Sequence, residues 1–272
     1  MKKSSIIYYI IATIFSVIFG YPFIFMVSTS LKGNMEFLQE SIWSLPATYK
    51  FVNYLDVLNS GFYQYFANSI FVTAVSLFLL VFISTLASYI ITRIDFKMNK
   101  LVLSTFVAGM MIPIHSTLIP VYKISRYLNL NNKLIGLAGP YVAFMLPVSI
   151  FILSGFMESI PKEIEESAFM DGAGYFKIYT KIILPLSKPA ISTILIYNFV
   201  QIWNRFVYGL ILISSPEKWI LTLGLWRFQG EHGFNVPYVM TALTLASIPL
   251  IILFIILQEK VVKGMTAGAL KA

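Results

Sequence analysis

The sequence predicts an all-α, polytopic transmembrane bundle of six spans, and three observations carry that prediction. Of 272 residues, 58% are hydrophobic and only 12% charged, with a mean hydropathy of +0.79, a composition far more apolar than that of a water-soluble domain. Five long runs, Ser4 to Leu31, Val57 to Thr92, Leu101 to Tyr122, Leu134 to Met157 and Gly233 to Gln258, contain no Asp, Glu, Lys or Arg. Each is long enough for the roughly 20 apolar residues that cross a bilayer core. Finally, twelve Lys and Arg fall in one set of alternate connections and seven in the other, with Arg205 inside a span.

The first span, about 6–30, follows Lys2 and Lys3 but is longer than a signal-peptide core and lacks a small-x-small cleavage site, so it reads as a retained helix. The connection from Leu31 to Phe66 has few charges, several aromatics and the turn-like pairs Leu45-Pro46 and Ser60-Gly61. It reads as a packed outer loop with short interfacial helices, or as a spacer anchored by Trp43 and Tyr49. Spans at about 66–92, 101–122 and 134–157 follow. The fifth, about 182–213, is less clean, because it holds Lys188, Arg205, Pro185, Pro189, Asn198, Gln201 and Asn204. The sixth covers about 236–258. The basic excess places both termini on the cytoplasmic side, although the basic connection between the third and fourth spans votes the other way. The formal net charge of +8 is thus a topology signal, not a sign of a nucleic-acid partner.

The inner connection, 160–189, reads helix, turn, helix. Pro161 suits a first helical position after Ser159 as N-cap, and Glu163, Glu165 and Glu166 fall in the first turns, where the helix dipole favours anions. Asp171-Gly172 ends that helix, with Gly172 in the left-handed conformation, and a second helix runs from Tyr175 towards Pro185. Asp171 is a candidate cap for the second helix or a partner contact. The corner of Ser167, Ala168, Gly172, Ala173 and Gly174 is small enough to admit another chain's backbone.

Glu166-Ser167-Ala168, three residues, Gly172, nine residues, then Ile182-x-Leu184-Pro185 resembles the EAA loop of bacterial ABC importer permeases, with Ser167 in place of the usual Ala. Asp171-Gly172-Ala173, Leu184-Pro185-Leu186-Ser187-Lys188-Pro189, Trp203-Asn204 and the tail Lys263 to Lys271 resemble the carbohydrate-uptake members, in particular the smaller permease of maltose-type importers. Arg205 departs from that pattern, where an acidic residue is common.

The resemblance implies docking of Glu166, Ser167, Ala168, Asp171, Gly172, Ala173, Ile182, Leu184 and Pro185 on a separate ATPase dimer that carries ATP and Mg, leaving no cofactor on this chain. It also implies a second homologous permease, an extracytoplasmic sugar-binding protein, a sugar substrate and a bacterial cytoplasmic membrane.

No phosphate-binding G-x-x-x-x-G-K-[ST] loop occurs, so the chain itself is expected not to be an enzyme. Tyr197, Asn198, Gln201, Trp203 and Asn204 lie within about two helical turns. They combine the aromatic faces and hydrogen-bonding groups that a sugar needs, so they are candidates for the substrate pathway. The same polar residues are equally suited to holding helices together. His115 is open to two readings, a proton relay or an inter-helix bond.

Other classes fare worse. A secondary transporter would use intramembrane carboxylates, and none of the six spans contains Asp or Glu. The absence of cysteine excludes disulfides and thiolate metal sites, and the two histidines, His115 and His232, fall on different segments, so no catalytic or metal site is expected. Importers of amino acids or metal ions share the EAA loop, so the sugar reading rests on the flanking matches.

Overall fold

The structure, a computed structural model, describes residues 3–231 and 235–269, with side chains for 7–226 and 235–256. His232 and the side chains of the Lys263 to Lys271 tail lie outside the described residues. Among the described residues the chain is helical and has no strand. Helices α1 (Lys3–Ser30), α2 (Asn34–Gln39), α3 (Val52–Val57) and α4 (Tyr63–Arg93) come first. They are followed by α5 (Asn99–Gly109), α6 (Leu118–Tyr127), α7 (Ala138–Glu158), α8 (Glu163–Met170), α9 (Tyr175–Ile178) and α10 (Leu184–Leu186). The last are α11 (Lys188–Trp203), α12 (Val207–Leu212), α13 (Leu221–Glu231) and α14 (Val236–Ala269).

Four stretches are long and apolar enough to cross a membrane, Ile7–Ser30, Val52–Arg93, Leu134–Glu158 and Val236–Ile256, the second of them kinked at Ser60-Gly61. Two further pairs pass the same test only as bent units, which brings the number to six when each pair counts as one span. The expected span at 101–122 is one of them, bent by 98° between Asn99–Gly109 and Ile114–Tyr127. Pro113 explains the break: it has no N–H to bond back to Gly109, whose carbonyl accepts from Ile112 at 3.2 Å instead, and its own backbone is extended at ψ +135°. The expected span at 182–213 is the other. Its first residues belong to a helical run from Tyr175 to Leu186, the axis turns 70° at Ser187, and α11 ends at Trp203 before the separate α12.

The chain forms two compact units, Met1–Phe66 with Leu221–Pro249, and Ala67–Ile220 with Leu250–Ala272. In the first, the α1–α4 connection is a packed loop with short helices. Asn53 donates to the carbonyls of Ser30 (2.8 Å) and Lys32 (2.9 Å), and the buried Lys32 ammonium donates to Ser44 Oγ at 3.0 Å. Glu36 accepts from the Ala47 and Gly33 amides, and these bonds, the Ala47 one foremost, hold its carboxyl below the usual range. Gly61 takes φ +95° at the turn into α4.

In the second unit, α5 and α11 pack on α7, with Leu153, Ala190 and Ile194 buried between them. Small residues on α4 allow close approach: Ser76, Ser84 and Ser88 are fully buried, and Ser88 Oγ reaches the Ile150 carbonyl at 3.3 Å. Asn132, at φ +56°, ties the loop after α6 to the end of α12 by accepting the Ser214 and Ser215 amides and donating to Ser215 Oγ at 2.7 Å.

Candidate functional site

The 160–189 segment forms a knob of two short helices. Helix α8 starts at Glu163, two residues beyond the expected Pro161, and Ser159 is not its N-cap. The Ser159 hydroxyl donates to Phe156 O at 2.7 Å and so closes α7, whereas Lys162 precedes α8 with no side-chain cap. Glu163, Glu165 and Glu166 still occupy the first turn, where the exposed amides favour negative charge.

At the other end, Gly172 takes φ +77°, its N–H donates to Phe169 O and the Ala173 N–H donates to Ala168 O, both at 3.0 Å. This pair of bonds is the Schellman closure, in which a left-handed residue satisfies two orphan carbonyls. Asp171 is the C-cap of α8, while Gly174 precedes α9 without a side-chain cap, so Asp171 does not cap the second helix.

The nine candidate docking residues divide into two sets. Glu166, Ser167, Asp171, Gly172 and Pro185 are exposed. Ala168, Ala173, Ile182 and Leu184 instead pack against a buried cluster of Tyr89, Met157, Ile160, Ile178, Tyr179 and Ile183. The expected small-residue corner is therefore narrower: Ala168 and Ala173 have turned their methyls towards the chain's own core, leaving Ser167, Gly172 and Gly174 on the outside. A Cβ on Gly172 or Gly174 would meet nothing within 4 Å.

Around that corner the structure exposes apolar side chains that the sequence reading did not single out, Met170 at 88% and Phe176 at 76%. Next to them in the chain, Phe169 and Tyr175 meet each other edge to face across the turn, with centroids 5.0 Å apart. Their signal in the sequence is position: they flank Asp171 to Gly174 on both sides in an otherwise charged loop.

The base of the knob holds a second feature that sequence reading missed. Arg93, the last residue of α4, places Nε 3.1 Å from Glu165 Oε1, with only 2% and 9% of the two side chains exposed. The Arg93 Nη2 also donates to the carbonyls of Met157 and Ile160, the latter at 2.7 Å. Burial pushes the Glu165 carboxyl above its usual range, with the charges of Arg93 and Lys162 acting in the opposite direction. Two tyrosines complete the anchorage: Tyr89 OH donates to Tyr175 O at 3.2 Å, and Tyr179 OH lies 2.9 Å from Thr85 Oγ1.

The five polar and aromatic candidates on α11 also separate. Asn198 is fully buried and donates to Ser149 Oγ of α7 (2.9 Å) and to Ile194 O (2.7 Å), and Trp203 is 4% exposed, stacked on Phe199. Both side chains are enclosed by the chain's own helices in this structure. Tyr197 and Asn204 are exposed and Gln201 half-buried, on one helical face at i, i+4 and i+7. Arg205 donates to Gln201 Oε1 at 3.3 Å and lies over the Phe144 ring at 5.3 Å. No group of three His, Cys, Asp or Glu able to hold a metal occurs among the described residues.

The knob, the bent fifth span and the helix after it lie within residues 82–267, the stretch matched by the family model for the binding-protein-dependent transport system inner membrane component. This chain belongs to that family. A relative 42% identical over all of this chain and 98% of its own length is described as a putative ABC transporter permease protein, ORF2, of Caldicellulosiruptor sp. (strain Rt8B.4). The trehalose/maltose transport system permease protein MalG of Thermococcus litoralis is 35% identical over 96% of this permease and 94% of its own chain.

Among solved structures, a bacterial ABC transporter involved in the import of the acidic polysaccharide alginate superposes with a TM-score of 0.84 at 23% identity. That match covers 95% of this permease and 98% of the other chain, and it shows a shared fold. The permease is therefore a multi-pass membrane component of the ABC importer class, as the EAA-like spacing had implied.

Proposed function

We propose that this permease is one subunit of an ATP-driven importer that carries a sugar or oligosaccharide across the cytoplasmic membrane. A second, related permease completes the pore, and an extracytoplasmic binding protein delivers the sugar. A separate ATPase dimer binds ATP and Mg and performs the hydrolysis, and both termini of this chain lie on its side of the membrane. The observation that carries the reading is the knob: exposed Glu166, Ser167, Asp171 and Gly172 surrounded by exposed Met170 and Phe176, on a base anchored to α4 and α7.

An apolar rim around a small polar corner suits a protein cleft, where aromatic and Met side chains carry much of the contact energy. Sugar as cargo is supported by the trehalose/maltose permease among the relatives and by the exposed Tyr197, Gln201 and Asn204 face of α11. On that face an aromatic ring can stack on a pyranose while amides bond its hydroxyls.

The test is uptake by a deletion strain against a panel of labelled sugars and amino acids. Loss confined to one sugar or a group of related sugars, restored by the intact gene, is the expected outcome. Loss of amino-acid uptake alone would overturn the sugar assignment. A cysteine at Lys97 is expected to resist labelling from outside intact cells, and labelling there would invert the topology.

A further inference from the structure

The Arg93–Glu165 pair lies behind the face proposed to meet the ATPase. With side chains 2% and 9% exposed, neither residue offers a surface to a partner. One guanidinium nevertheless meets three helix ends at once: it stands on the last residue of α4, its Nε forms an ion pair at 3.1 Å with Glu165 in the first turn of α8, and its Nη2 donates to Met157 O and Ile160 O where α7 ends. The last carbonyls of a helix have spare acceptor capacity, and here Arg93 Nη2 adds a donor to Met157 O, which also accepts the Ile160 N–H, and to Ile160 O just beyond the helix. Stability alone does not account for such a pair, because apolar residues of similar volume usually serve a buried site as well or better. The guanidinium adds something that apolar contact does not: two directed bonds from Nη2 to the end of α7 and a counter-charge held 3.1 Å from Glu165.

Building on the docking role proposed above, we infer that Arg93 and Glu165 are positioning residues that form the joint between knob and spans. A displacement of α8 by the ATPase is passed through this joint to α4 and α7. The second knob helix has its own ties to the same end of α4, from Tyr89 to Tyr175 and from Thr85 to Tyr179. The knob therefore moves with the C-terminal end of α4 as one piece. A helix of 31 residues is about 46 Å long, and that length carries a shift at Arg93 across the roughly 30 Å hydrocarbon core.

The test uses the whole importer, both permeases with ATPase and binding protein, in proteoliposomes, with Glu165→Gln and with the double substitution Arg93→Met/Glu165→Leu. The double variant leaves no unpaired buried charge, so it reports even if the single one is poorly inserted. In both, the ATPase is expected to co-purify at the wild-type ratio, while uptake falls about tenfold and hydrolysis ceases to respond to the loaded binding protein. An assembled double variant with uptake and stimulation within about twofold of wild type would overturn the joint.

Glu166→Ala, on the outer face, separates the two readings. Loss of the ATPase from that variant alone supports docking at the outer face and coupling at the base. Full ATPase retention and full uptake in Glu166→Ala, beside uncoupled joint variants, would overturn the docking role of Glu166 and leave the joint standing.

Discussion

The knob and the polar stretch of α11 are both polar insertions in an apolar chain, but they direct their polar groups differently. In the knob, adjacent glutamates part company: Glu165 turns inward to Arg93, and Glu166 faces out beside Ser167 and Asp171. In α11, Asn198 turns inward to Ser149, and only Tyr197, Gln201 and Asn204 remain on an accessible face. In each region one part of the polarity builds the scaffold and the other is presented to something else. The comparison shows that polar residues at membrane depth, or in an inner loop, do not by themselves mark a binding surface; their direction decides.

Five substitutions test that division. The largest effect is expected at the base of the knob. Arg93→Ala leaves Glu165 without its counter-charge and takes a side-chain donor from the Met157 and Ile160 carbonyls, and the loss of one partner from a buried pair costs about 3–5 kcal/mol. It should appear as reduced membrane abundance and a lowered melting temperature in detergent, and a wild-type melting curve would break the assignment of Arg93 to the scaffold.

Gly172→Ala comes next. The added methyl meets no neighbour, but φ +77° strains any other L residue by about 1–2 kcal/mol. Gly174, at an ordinary φ of −81° and also unobstructed, should accept alanine without a change in melting. Equal effects at the two glycines would remove the Schellman closure as the explanation.

A smaller loss is expected from Asn198→Ala, about 0.6 kcal/mol and up to roughly 1.7 for an inter-helix hydrogen bond in a membrane. Melting should shift while the KM for uptake stays unchanged, and a raised KM with unchanged melting would return Asn198 to the substrate path. Smallest in stability is Tyr197→Ala, an exposed side chain whose removal should alter stability by no more than about 0.5 kcal/mol. Here the expected signature is reversed, with a raised uptake KM and an unchanged melting curve.

Much of this architecture was legible in the sequence, and particular residues show why. Uncharged runs of sufficient length became four long spans because a bilayer-length helix needs little beyond apolarity. The Gly172 turn was legible because few residues other than glycine adopt its backbone. The 98° break at Pro113 escaped because hydropathy is blind to a missing N–H inside a uniformly apolar run. The Arg93–Glu165 pair escaped for a different reason: 72 positions separate the two residues in the chain, and nothing local distinguishes Glu165 from Glu163. Ala168 and Ala173 were read as an open corner since small size is shared by residues that admit a partner and residues that pack tightly inside. Met170 and Phe176 stood in plain view as apolar residues of a charged loop, without a periodicity to say which way they point.

The empty space above Gly172 and Gly174 has an engineering consequence. A Cβ at position 174 meets nothing within 4 Å, so a side chain can start there without touching the chain's own packing. A protrusion placed there, matched by a hollow carved in one ATPase, would make a private pairing between the two proteins. In a cell where several permeases draw on a common ATPase, such an insulated pair would let one uptake route be powered or silenced without touching the rest.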